Sequence, residues 1–339
     1  IMKKSILAIA VASMAVSSAA MAESTVYGNI HLSINQFGDG TAQKMQSENG
    51  GSGSDELDMT SNTSSIGVKG SEDLSGGTKA IYKVEFQLDA ADGASTGDAL
   101  TQRDIFAGLK GGWGTAKAGI MSSNYKQMGG KVDSLYRTPA EGRGFIATQS
   151  AALHGGRGVN RGRQTNTIQY STPKFGGFEI VANTTVSGAK DGTLTTAGTA
   201  ETTGIGGRWS NKSFLVYVDW IDGATGAVDT SGSAITESAT KLGGKWSGKS
   251  FFVAGQYEDA AKRTGYDFMH LNGGWLINAN NILTATYGGA SHDTDGNLDT
   301  TGMALAYVHN MSKMTNVYVA WMDRSSDTQS LEDDAFALG

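Results

Sequence analysis

The sequence predicts an all-β protein, an antiparallel β-barrel of about 16 strands that crosses a membrane. Three observations lead to this prediction. Apolar and polar residues alternate along one segment after another, short turns alternate with long polar loops, and a leader for export precedes the first of these segments. The composition agrees, because the 339 residues include 48 glycines, 2 prolines and no cysteine. A chain without cysteine has no disulfide framework, thiol nucleophile or thiolate zinc site.

The first 22 residues have the three parts of a secretory signal peptide. A pair of lysines gives the positive start, Ile6–Val16 gives the apolar centre, and the segment closes at Ala22 on a small-x-small cleavage pattern. The apolar centre is too short to cross a bilayer as a helix. We therefore expect residues 1–22 to be removed on export and residues 23–339 to form the barrel domain.

Strand-like alternation is clearest in four segments. In Thr78–Asp89, apolar side chains share one face of the predicted strand, and charged or amide side chains share the other. The same period of two recurs in Ser213–Ile221, Phe251–Glu258 and Thr315–Arg324. A tilted strand needs about 9 to 11 residues to cross a bilayer, which is close to the length of these segments. One face in oil and one face in water is the pattern of a membrane barrel.

Two kinds of connection alternate between the predicted strands. Short turns are predicted at Glu72–Gly77, Gly111-Gly112, Lys174–Gly177, Asn211-Lys212, Ser247–Lys249, Asn278–Asn281 and Met311–Lys313. Long polar loops are predicted at Gly38–Leu57, Ala90–Leu100, Ser122–Gly162, Gly188–Glu201, Asp222–Ser233, Ala260–Gly265, Ser291–Asp299 and Ser325–Asp333. This order ties one end of the barrel tightly and leaves long loops at the other.

Glycines and aromatic residues fit the same prediction. Glycine pairs inside strands, such as Gly206-Gly207 and Gly243-Gly244, are expected to allow the bends that a closing barrel needs. Aromatic residues near strand ends are expected to form girdles at the two membrane interfaces. They are Tyr27, Trp113, Tyr170, Trp209, Trp246, Trp275 and Trp321.

Several motifs, in order, resemble one protein family. They are Val26-Tyr27-Gly28 at the first strand, Ser65–Leu74 at the second strand and its turn, Arg103–Leu109 followed by Gly111–Gly114, and Asn166–Phe178. The set resembles the general diffusion porins of Gram-negative outer membranes over essentially the whole mature chain. The resemblance implies a 16-stranded barrel in the cell outer membrane, usually a homotrimer, whose third long loop folds into the lumen as a constriction. It implies passive transport of ions and small hydrophilic solutes, and neither an enzyme nor a cofactor.

The chain departs from the family pattern in three places. It stops at Ala335–Gly339, which looks like only the start of the last strand, so we expect a truncated last strand rather than an open barrel. A lumenal arginine and a lysine that are common in the enterobacterial branch fall on Ser65 and Asn29. The acidic Pro-Glu-Phe-Gly-Gly motif of that branch's constriction loop is missing.

Basic residues are concentrated where the constriction is expected. From Met121 to Arg163 there are seven basic residues against two acidic ones. Arg163 shares parity with the polar Thr167 and Gln169, whereas the direction of Arg103 rests on the resemblance, which places both arginines on the wall opposite the loop. The predicted constriction residues are Arg103, Arg163, Arg161, Arg157, Lys83 and Lys117, with the acids Glu85, Asp133 and Glu141. Rings of Arg or Lys favour anions, so we expect a channel that leans toward anions.

The total charge points the other way, with 27 basic and 33 acidic residues and a net charge of −6. Much of the acid lies in loops outside the expected path, at Glu48, Asp55, Glu56, Asp58, Glu332, Asp333 and Asp334. These acids form either a solvated surface or a contact with lipopolysaccharide through divalent cations. Outer-membrane lipids are the other expected partners, and the absence of a basic tail argues against nucleic acid.

Other functions stay open as alternatives. Within transport, the alternative is a solute-specific channel, which would need a continuous aromatic track along the lumen. From another class, the alternative is a surface adhesion or receptor barrel whose long loops bind. An embedded enzyme comes third, because His31-Leu32-Ser33 resembles the His-x-Ser of outer-membrane phospholipases but is expected to face the lumen. The acidic loop Asp293–Asp299 resembles the start of a calcium loop but lacks the closing glutamate, so no metal site is predicted.

Overall fold

The computed structural model describes residues 23–37, 57–91, 100–158, 161–186, 201–228, 234–326 and 333–339. Within these ranges, eighteen strands form one antiparallel sheet. The predicted signal peptide at residues 1–22 lies outside the described residues, as do the loop acids Glu48, Asp55, Glu56 and Glu332.

The strands follow one another along the chain with few helices between them. They are β1 (Glu23–Asn29), β2 (Leu32–Phe37), β3 (Leu57–Ser61), β4 (Ser65–Asp73), β5 (Lys79–Leu88), β6 (Leu100–Gly111), β7 (Gly114–Ser122), β8 (Arg163–Ser171), β9 (Phe178–Thr185), β10 (Thr203–Ser210), β11 (Phe214–Val228), β12 (Ala234–Ser247), β13 (Phe251–Asp259), β14 (Tyr266–Leu276), β15 (Asn281–His292), β16 (Thr300–Asn310), β17 (Asn316–Ser326) and β18 (Asp333–Leu338). The helices in the described ranges are α1 (Asn124–Val132), α2 (Ala151–His154) and α3 (Ala261–Thr264), with short 3₁₀ turns at Ser75–Gly77 and Gly296–Leu298.

The sheet has the topology of an up-and-down barrel. β1 and β2 lie in line against β4 and β3, so these four strands fill two positions and the eighteen strands occupy sixteen positions. From β4 onward each strand pairs with the next along the chain. The last strand, β18, pairs with β17 on one side and with β2 on the other, through Ala335–Leu338. Among the described residues, β1 pairs only with β4, so the sheet is not closed along β1.

The burial of side chains is the reverse of that in a water-soluble protein. Along β13, Phe251 and Val253 are 53% and 58% exposed, whereas the alternating Gln256 and Glu258 are 5% and 0% exposed. Apolar side chains therefore cover the outer face, and polar side chains point into the ring. This confirms the alternation predicted for the segment. Among the described residues, no helix has both the length and the apolar composition needed to cross a bilayer, and this finding concerns helices only.

The third long connection, between β7 and β8, folds into the interior of the ring, as predicted. It begins with α1, whose N-terminus is capped by the Ser123 hydroxyl accepting from the Lys126 amide at 3.1 Å. α2 is capped in the same way by Ser150, which accepts from the Leu153 amide at 3.2 Å. Because these caps satisfy amides that a helix start leaves free, short helices form inside the lumen. We call residues 123–162 the inward loop.

The core of the molecule lies between the inward loop and one side of the wall. Leu135, Phe145 and Ile146 of the loop pack against small wall residues of β16, β17 and β18. Those wall residues include Ala304, Ala306, Ala320, Ala335 and Ala337. Two further clusters join α1 and α2 to β11, β12, β13 and β14. The loop is therefore held against one wall, and the remaining space lies along the opposite wall.

Glycines in the strands have a use that the sequence did not predict. A Cβ at Gly302 would overlap the carbonyl group of Ile146, and a Cβ at Gly243 would overlap the ring of Tyr217. A Cβ at Gly206 would likewise overlap the carboxylate of Asp219. The glycines thus let the inward loop and the inward side chains approach the wall backbone closely.

Two details of the prediction are corrected. The loop predicted at Asp222–Ser233 is largely strand, because β11 continues to Val228 and β12 begins at Ala234. Tyr27 does not belong to an outer girdle, since its hydroxyl donates to Glu85 Oε2 at 2.8 Å inside the ring. The exposed tryptophans Trp113, Trp246 and Trp275 do lie beside short turns, as predicted.

Candidate functional site

Three cavities follow one another through the ring. The outer cavity, about 300 Å³, borders Gln102 and Arg157 near the long loops, and the middle cavity is about 380 Å³. The inner cavity, about 160 Å³, borders Lys174 and Gly177 at a short turn. The middle and inner cavities share Met128, Lys131 and Arg208. The outer and middle cavities share Arg103, Lys126, Tyr136, Arg137 and Arg163, which we call the neck.

The walls of this path are strongly basic. Six basic and no acidic side chains line the outer cavity, namely Arg103, Lys126, Arg137, Arg143, Arg157 and Arg163. Seven basic side chains line the middle cavity, namely Lys83, Arg103, Lys126, Lys131, Arg137, Arg163 and Arg208, against two acids, Glu85 and Asp104. Four of the five neck residues are basic, and the fifth is Tyr136.

A β-bulge on β6 brings an acid and a base together on the wall side of the neck. Val84 pairs with Ile105 and Phe86 with Gln102, so that Arg103 and Asp104 together lie opposite Glu85. An extra residue of this kind interrupts the alternation of a strand, which allows both side chains to point inward.

These wall residues form a chain of ion pairs. The Arg103 guanidinium donates to Glu85 Oε1 at 2.7 Å, and the Lys83 ammonium lies 3.1 Å from both Glu85 and Asp104. The Arg163 guanidinium donates to the other oxygen of Asp104 at 2.9 Å. The carboxylates therefore sit between the cations and keep their side chains extended into the lumen.

The loop side of the neck carries Lys126, Tyr136 and Arg137, with Arg143 adjacent. The Arg143 guanidinium is 2.6 Å from Glu141 Oε1 and donates to the His154 carbonyl at 2.9 Å. The Lys126 ammonium also contacts that carbonyl. Burial, and then the charges of neighbouring arginines, hold the pKa of the Lys126 ammonium well below its usual range.

Arg137 differs from the other cations of the neck. Its backbone has a left-handed φ of 71°, and its amide donates to Glu141 Oε2 at 2.8 Å. Its guanidinium lies 5.7 Å from the centre of the Tyr136 ring. Within the described part of the chain the structure assigns this guanidinium no ion pair, and its Nε is buried without a hydrogen-bond partner.

Glu258 of β13 anchors the inward loop to the wall. This fully buried carboxylate accepts from the Tyr125 hydroxyl at 3.2 Å, the Ser150 amide at 3.3 Å and His154 Nε2 at 3.0 Å. Burial lowers the pKa of His154 to about 4, so the ring is neutral and donates its Nε2 proton to Glu258 at neutral pH. The buried Lys241 ammonium contacts the Tyr125 carbonyl beside it. These bonds fix the loop side of the neck relative to the wall.

The structure brings together some of the predicted constriction residues. Lys83, Glu85, Arg103 and Arg163 line the middle cavity, and Arg157 lines the outer cavity, where it contacts Gln102. Arg163 does not share the parity predicted for it with Thr167 and Gln169, because Thr165 and Asn166 together oppose Ile120 and shift the register. Arg163 nevertheless reaches the lumen through its bond to Asp104.

The other four predicted residues lie away from the neck. The Asp133 carboxylate accepts from the amides of Leu135 and Gly142 at 2.9 and 2.8 Å, so it holds a loop turn. Glu141 is engaged by Arg137 and Arg143, as described. Lys117 pairs across the sheet with Gln169, and its ammonium lies 5.0 Å over the Phe106 ring. The exposed Arg161 side chain lies next to Gly156. None of the four lines the outer or the middle cavity.

Sequence reasoning missed several residues of the path. Asp104 was missed because the bulge that turns it inward leaves no mark in the alternation. Lys126 and Arg137 were counted as loop charge, but the sequence did not place them at the constriction, nor Tyr136 between them. Arg208 was missed, although its parity with Gly206 in β10 was a signal that could have indicated an inward side chain. In the structure its guanidinium donates to Gln127 Oε1 at 3.0 Å. Among the described residues, no group of three or more His, Asp or Glu is arranged to hold a metal ion.

Comparison with known proteins agrees with the motifs. The profile of the Gram-negative porin family matches residues 8–329. The major outer membrane protein P.IB of Neisseria gonorrhoeae is 32% identical over 182 residues, which cover 52% of this chain and 46% of that protein. This chain thus spans about half the length of the curated relatives it matches. Relatives of this kind are named as outer membrane proteins and porins rather than enzymes.

Two solved structures have the same fold. The anion-selective porin from Comamonas acidovorans superposes with a TM-score of 0.74 at 20% identity, covering 94% of this chain and 98% of that chain. The trimer form of in-vitro folded OmpT of Vibrio cholerae superposes with a TM-score of 0.61 at 13% identity, covering 93% and 98%. The family match extends over nearly the whole sequence, and the barrel and its inward loop agree with it. The chain belongs to the Gram-negative porin family, whose members lie in the bacterial outer membrane.

Proposed function

We propose that this chain forms a water-filled channel for the passive diffusion of small hydrophilic solutes and ions, and that the channel favours anions. One observation carries the preference for anions: four of the five neck residues are basic and none is acidic. A solute that passes from the outer to the middle cavity must cross between these side chains. No covalent step, energy source or cofactor enters the mechanism.

The physical reason is the field inside a narrow path. Fixed charges of one sign in a cleft with low-dielectric walls create a potential of several kT, which raises the local concentration of the opposite ion. Glu85 and Asp104 offset part of the positive charge of the middle cavity, but both lie on one wall, between Lys83, Arg103 and Arg163. The outer cavity has no acid in its lining, so an anion meets the stronger field first.

Two further elements of the function are supported by the relatives. The Comamonas acidovorans porin, which has the same fold, is described as anion-selective, in agreement with the charge of the neck. We propose a homotrimer because the OmpT structure is described as a trimer form. Contact with lipopolysaccharide through the loop acids stays a prediction, since most of those acids lie outside the described residues.

The sign of the ion preference can be measured directly. Purified protein is inserted into a planar lipid bilayer, and the zero-current potential is recorded under a KCl gradient. We expect the potential to have the sign of a chloride-preferring pore. A clear preference for potassium would contradict the proposal, and the absence of an open-channel current would favour the adhesion or receptor barrel instead.

A matched pair of double variants tests whether the neck sets the sign. Arg103→Glu with Arg163→Glu should move the preference toward potassium. Lys212→Glu with Lys313→Glu changes the total charge by the same amount on exposed short turns, and should move it little. Equal shifts in the two variants would mean that total charge, rather than the neck, controls the ions.

A further inference from the structure

Tyr136 gives the neck an aromatic surface beside its cations. The half-buried ring borders both the outer and the middle cavity. Part of it is packed on the backbone of the loop, because a Cβ at Gly130 would lie 2.9 Å from three ring atoms. The guanidinium groups of Arg137 and Arg143 lie 5.7 and 5.6 Å from the ring centre. The loop thus presents a supported aromatic ring next to two planar cations.

Arg137 is the neck arginine whose side chain has neither an ion pair nor a hydrogen-bond acceptor in the described residues. Arg103 is paired with Glu85, Arg163 with Asp104, and the Lys126 ammonium contacts a carbonyl oxygen. The Arg137 guanidinium has no acceptor in the described residues, although its Nε is buried. Its left-handed backbone is an unfavourable conformation for a residue with a Cβ, and the bond from its amide to Glu141 holds it there. Such strain is common where a side chain must be held in one position.

From this geometry we propose that Arg137 and Tyr136 form a binding site for planar aromatic carboxylates at the neck. The site presupposes the anion-favouring channel proposed above and names one class of its solutes. The guanidinium would take the carboxylate through two parallel hydrogen bonds. The ring of the acid would stack on or against the ring of Tyr136, at the separations that aromatic pairs prefer.

The chemistry favours an aromatic acid over other organic anions. A saturated ring of the same size carries the same charge but has no π face to meet Tyr136. A flexible aliphatic acid would lose more conformational freedom on binding than a rigid planar one. A small inorganic anion would use Arg137 alone. The aromatic class is therefore distinguished by its dependence on Tyr136.

Blocking of the chloride current measures this dependence. Single-channel current is recorded in KCl with increasing sodium benzoate or sodium cyclohexanecarboxylate, which match in charge and nearly in size. We expect benzoate to interrupt the current at a concentration about 2- to 10-fold lower, the range that one aromatic contact provides. Arg137→Gln should weaken the block by both acids.

Tyrosine variants separate the ring from the rest of the neck. Tyr136→Leu should remove the preference for benzoate, and Tyr136→Phe, which keeps the ring, should retain it. Tyr287→Leu is the matched control, because Tyr287 is 50% exposed on the outer face of β15. It should retain the preference as well.

Two results would overturn the inference. One is an equal block by the two acids in the wild-type channel, and the other is a benzoate preference that survives in Tyr136→Leu. Failure of the proposed function has a different signature, namely a potassium-preferring zero-current potential in KCl without any organic acid. The two failures can therefore be told apart in the same bilayer.

Discussion

Acidification should loosen the inward loop through a single histidine. His154 ends α2 and is 1% exposed, with its Nε2 bonded to Glu258 Oε1 at 3.0 Å. Its Nδ1 is buried without a hydrogen-bond partner in the described residues, beside the backbone of Gly129. Burial is the largest cause of the low pKa of about 4, and the attraction of Glu258 offsets it only in part.

The size and the sign of the effect follow from the two pKa values of His154. The group titrates at about 4 in the packed loop, against an ordinary value of 6.5. Between these values the unpacked loop binds more protons, so acid favours unpacking. The packing energy is complete above pH 6.5 and decreases as the pH falls toward 4. A difference of about 2.5 pKa units corresponds to about 3 kcal/mol, at 1.36 kcal/mol per unit.

Hydrogen exchange read by mass spectrometry can measure this loss. The protection of peptides that contain α2, corrected for the intrinsic pH dependence of exchange, is compared between pH 7 and pH 4 with that of peptides from β13. We expect the α2 protection to fall roughly 100-fold, which is the factor that about 3 kcal/mol represents, while β13 changes little. Because the loop is then less firmly held, single-channel recordings should show more frequent transitions between conductance levels at low pH.

A variant that cannot titrate provides the control. His154→Gln keeps a donor for Glu258 but has no proton to gain, so its protection should be lower at pH 7 and nearly independent of pH. His292→Gln, at the end of β15, should keep the wild-type dependence. If His154→Gln lost protection on acidification as steeply as the wild type, another group would be responsible and the reasoning would fail.

Three further predictions concern the channel and its loop. Raising KCl from 0.1 M to 1 M shortens the Debye length from about 10 Å to about 3 Å. The zero-current potential at a fixed concentration ratio should therefore become smaller. An unchanged potential would argue against long-range electrostatic selection. Phe145→Ala should weaken loop packing by about 3 to 5 kcal/mol, because Phe145 is 1% exposed and its ring centre lies 5.8 Å from that of Phe37. Faster hydrogen exchange of the loop amides would reveal this loss of packing. Ala147→Gly should raise the denaturant midpoint by the equivalent of about 1 kcal/mol, since Ala147 has a φ of 48°; a lower midpoint would contradict this reasoning.

The barrel could be predicted from the sequence because its cause is local and repeats. Each strand must present apolar side chains to the lipid on one face and polar side chains to water on the other. The period of two is therefore visible in several segments, as in β13 with Phe251 and Gln256. The alternation of short and long connections follows from the same topology. Strand ends were less certain, and the loop expected from Asp222 proved to be largely strand because polar residues also continue a strand beyond the membrane.

The constriction was predicted only in part. The prediction assumed that side chains point alternately inward and outward along a strand, and two bulges interrupt this alternation. At Arg103 and Asp104 the extra residue turns both side chains inward, and at Asn166 a left-handed φ of 52° shifts the register beside Arg163. A bulge of this kind depends on the partner strand, which one segment does not reveal. The acids Asp133 and Glu141 were placed by charge alone, whereas turn geometry decides where their carboxylates point.

The inward loop was correctly placed, but its internal structure was not predicted. α1 contains two adjacent glycines, Gly129 and Gly130, which disfavour a helix in isolation. It forms because Tyr125, Met128 and Val132 lie on one helical face and are buried against the wall. Packing therefore determines this helix, and the helical spacing of those three residues was the signal that could have indicated it.

Basic side chains have two different roles at the neck. On the wall, Lys83, Arg103 and Arg163 lie so close together that they would repel one another. The carboxylates of Glu85 and Asp104 reduce this repulsion, and they also reduce the positive potential that the three cations create in the lumen. These pairs fix the shape of the opening. On the loop, the donors of Arg137 and the ring of Tyr136 remain for the solute. The field that an ion meets therefore depends on how many basic side chains line the path and also on which of them already face a carboxylate, and this local excess explains how a chain with a net charge of −6 can favour anions.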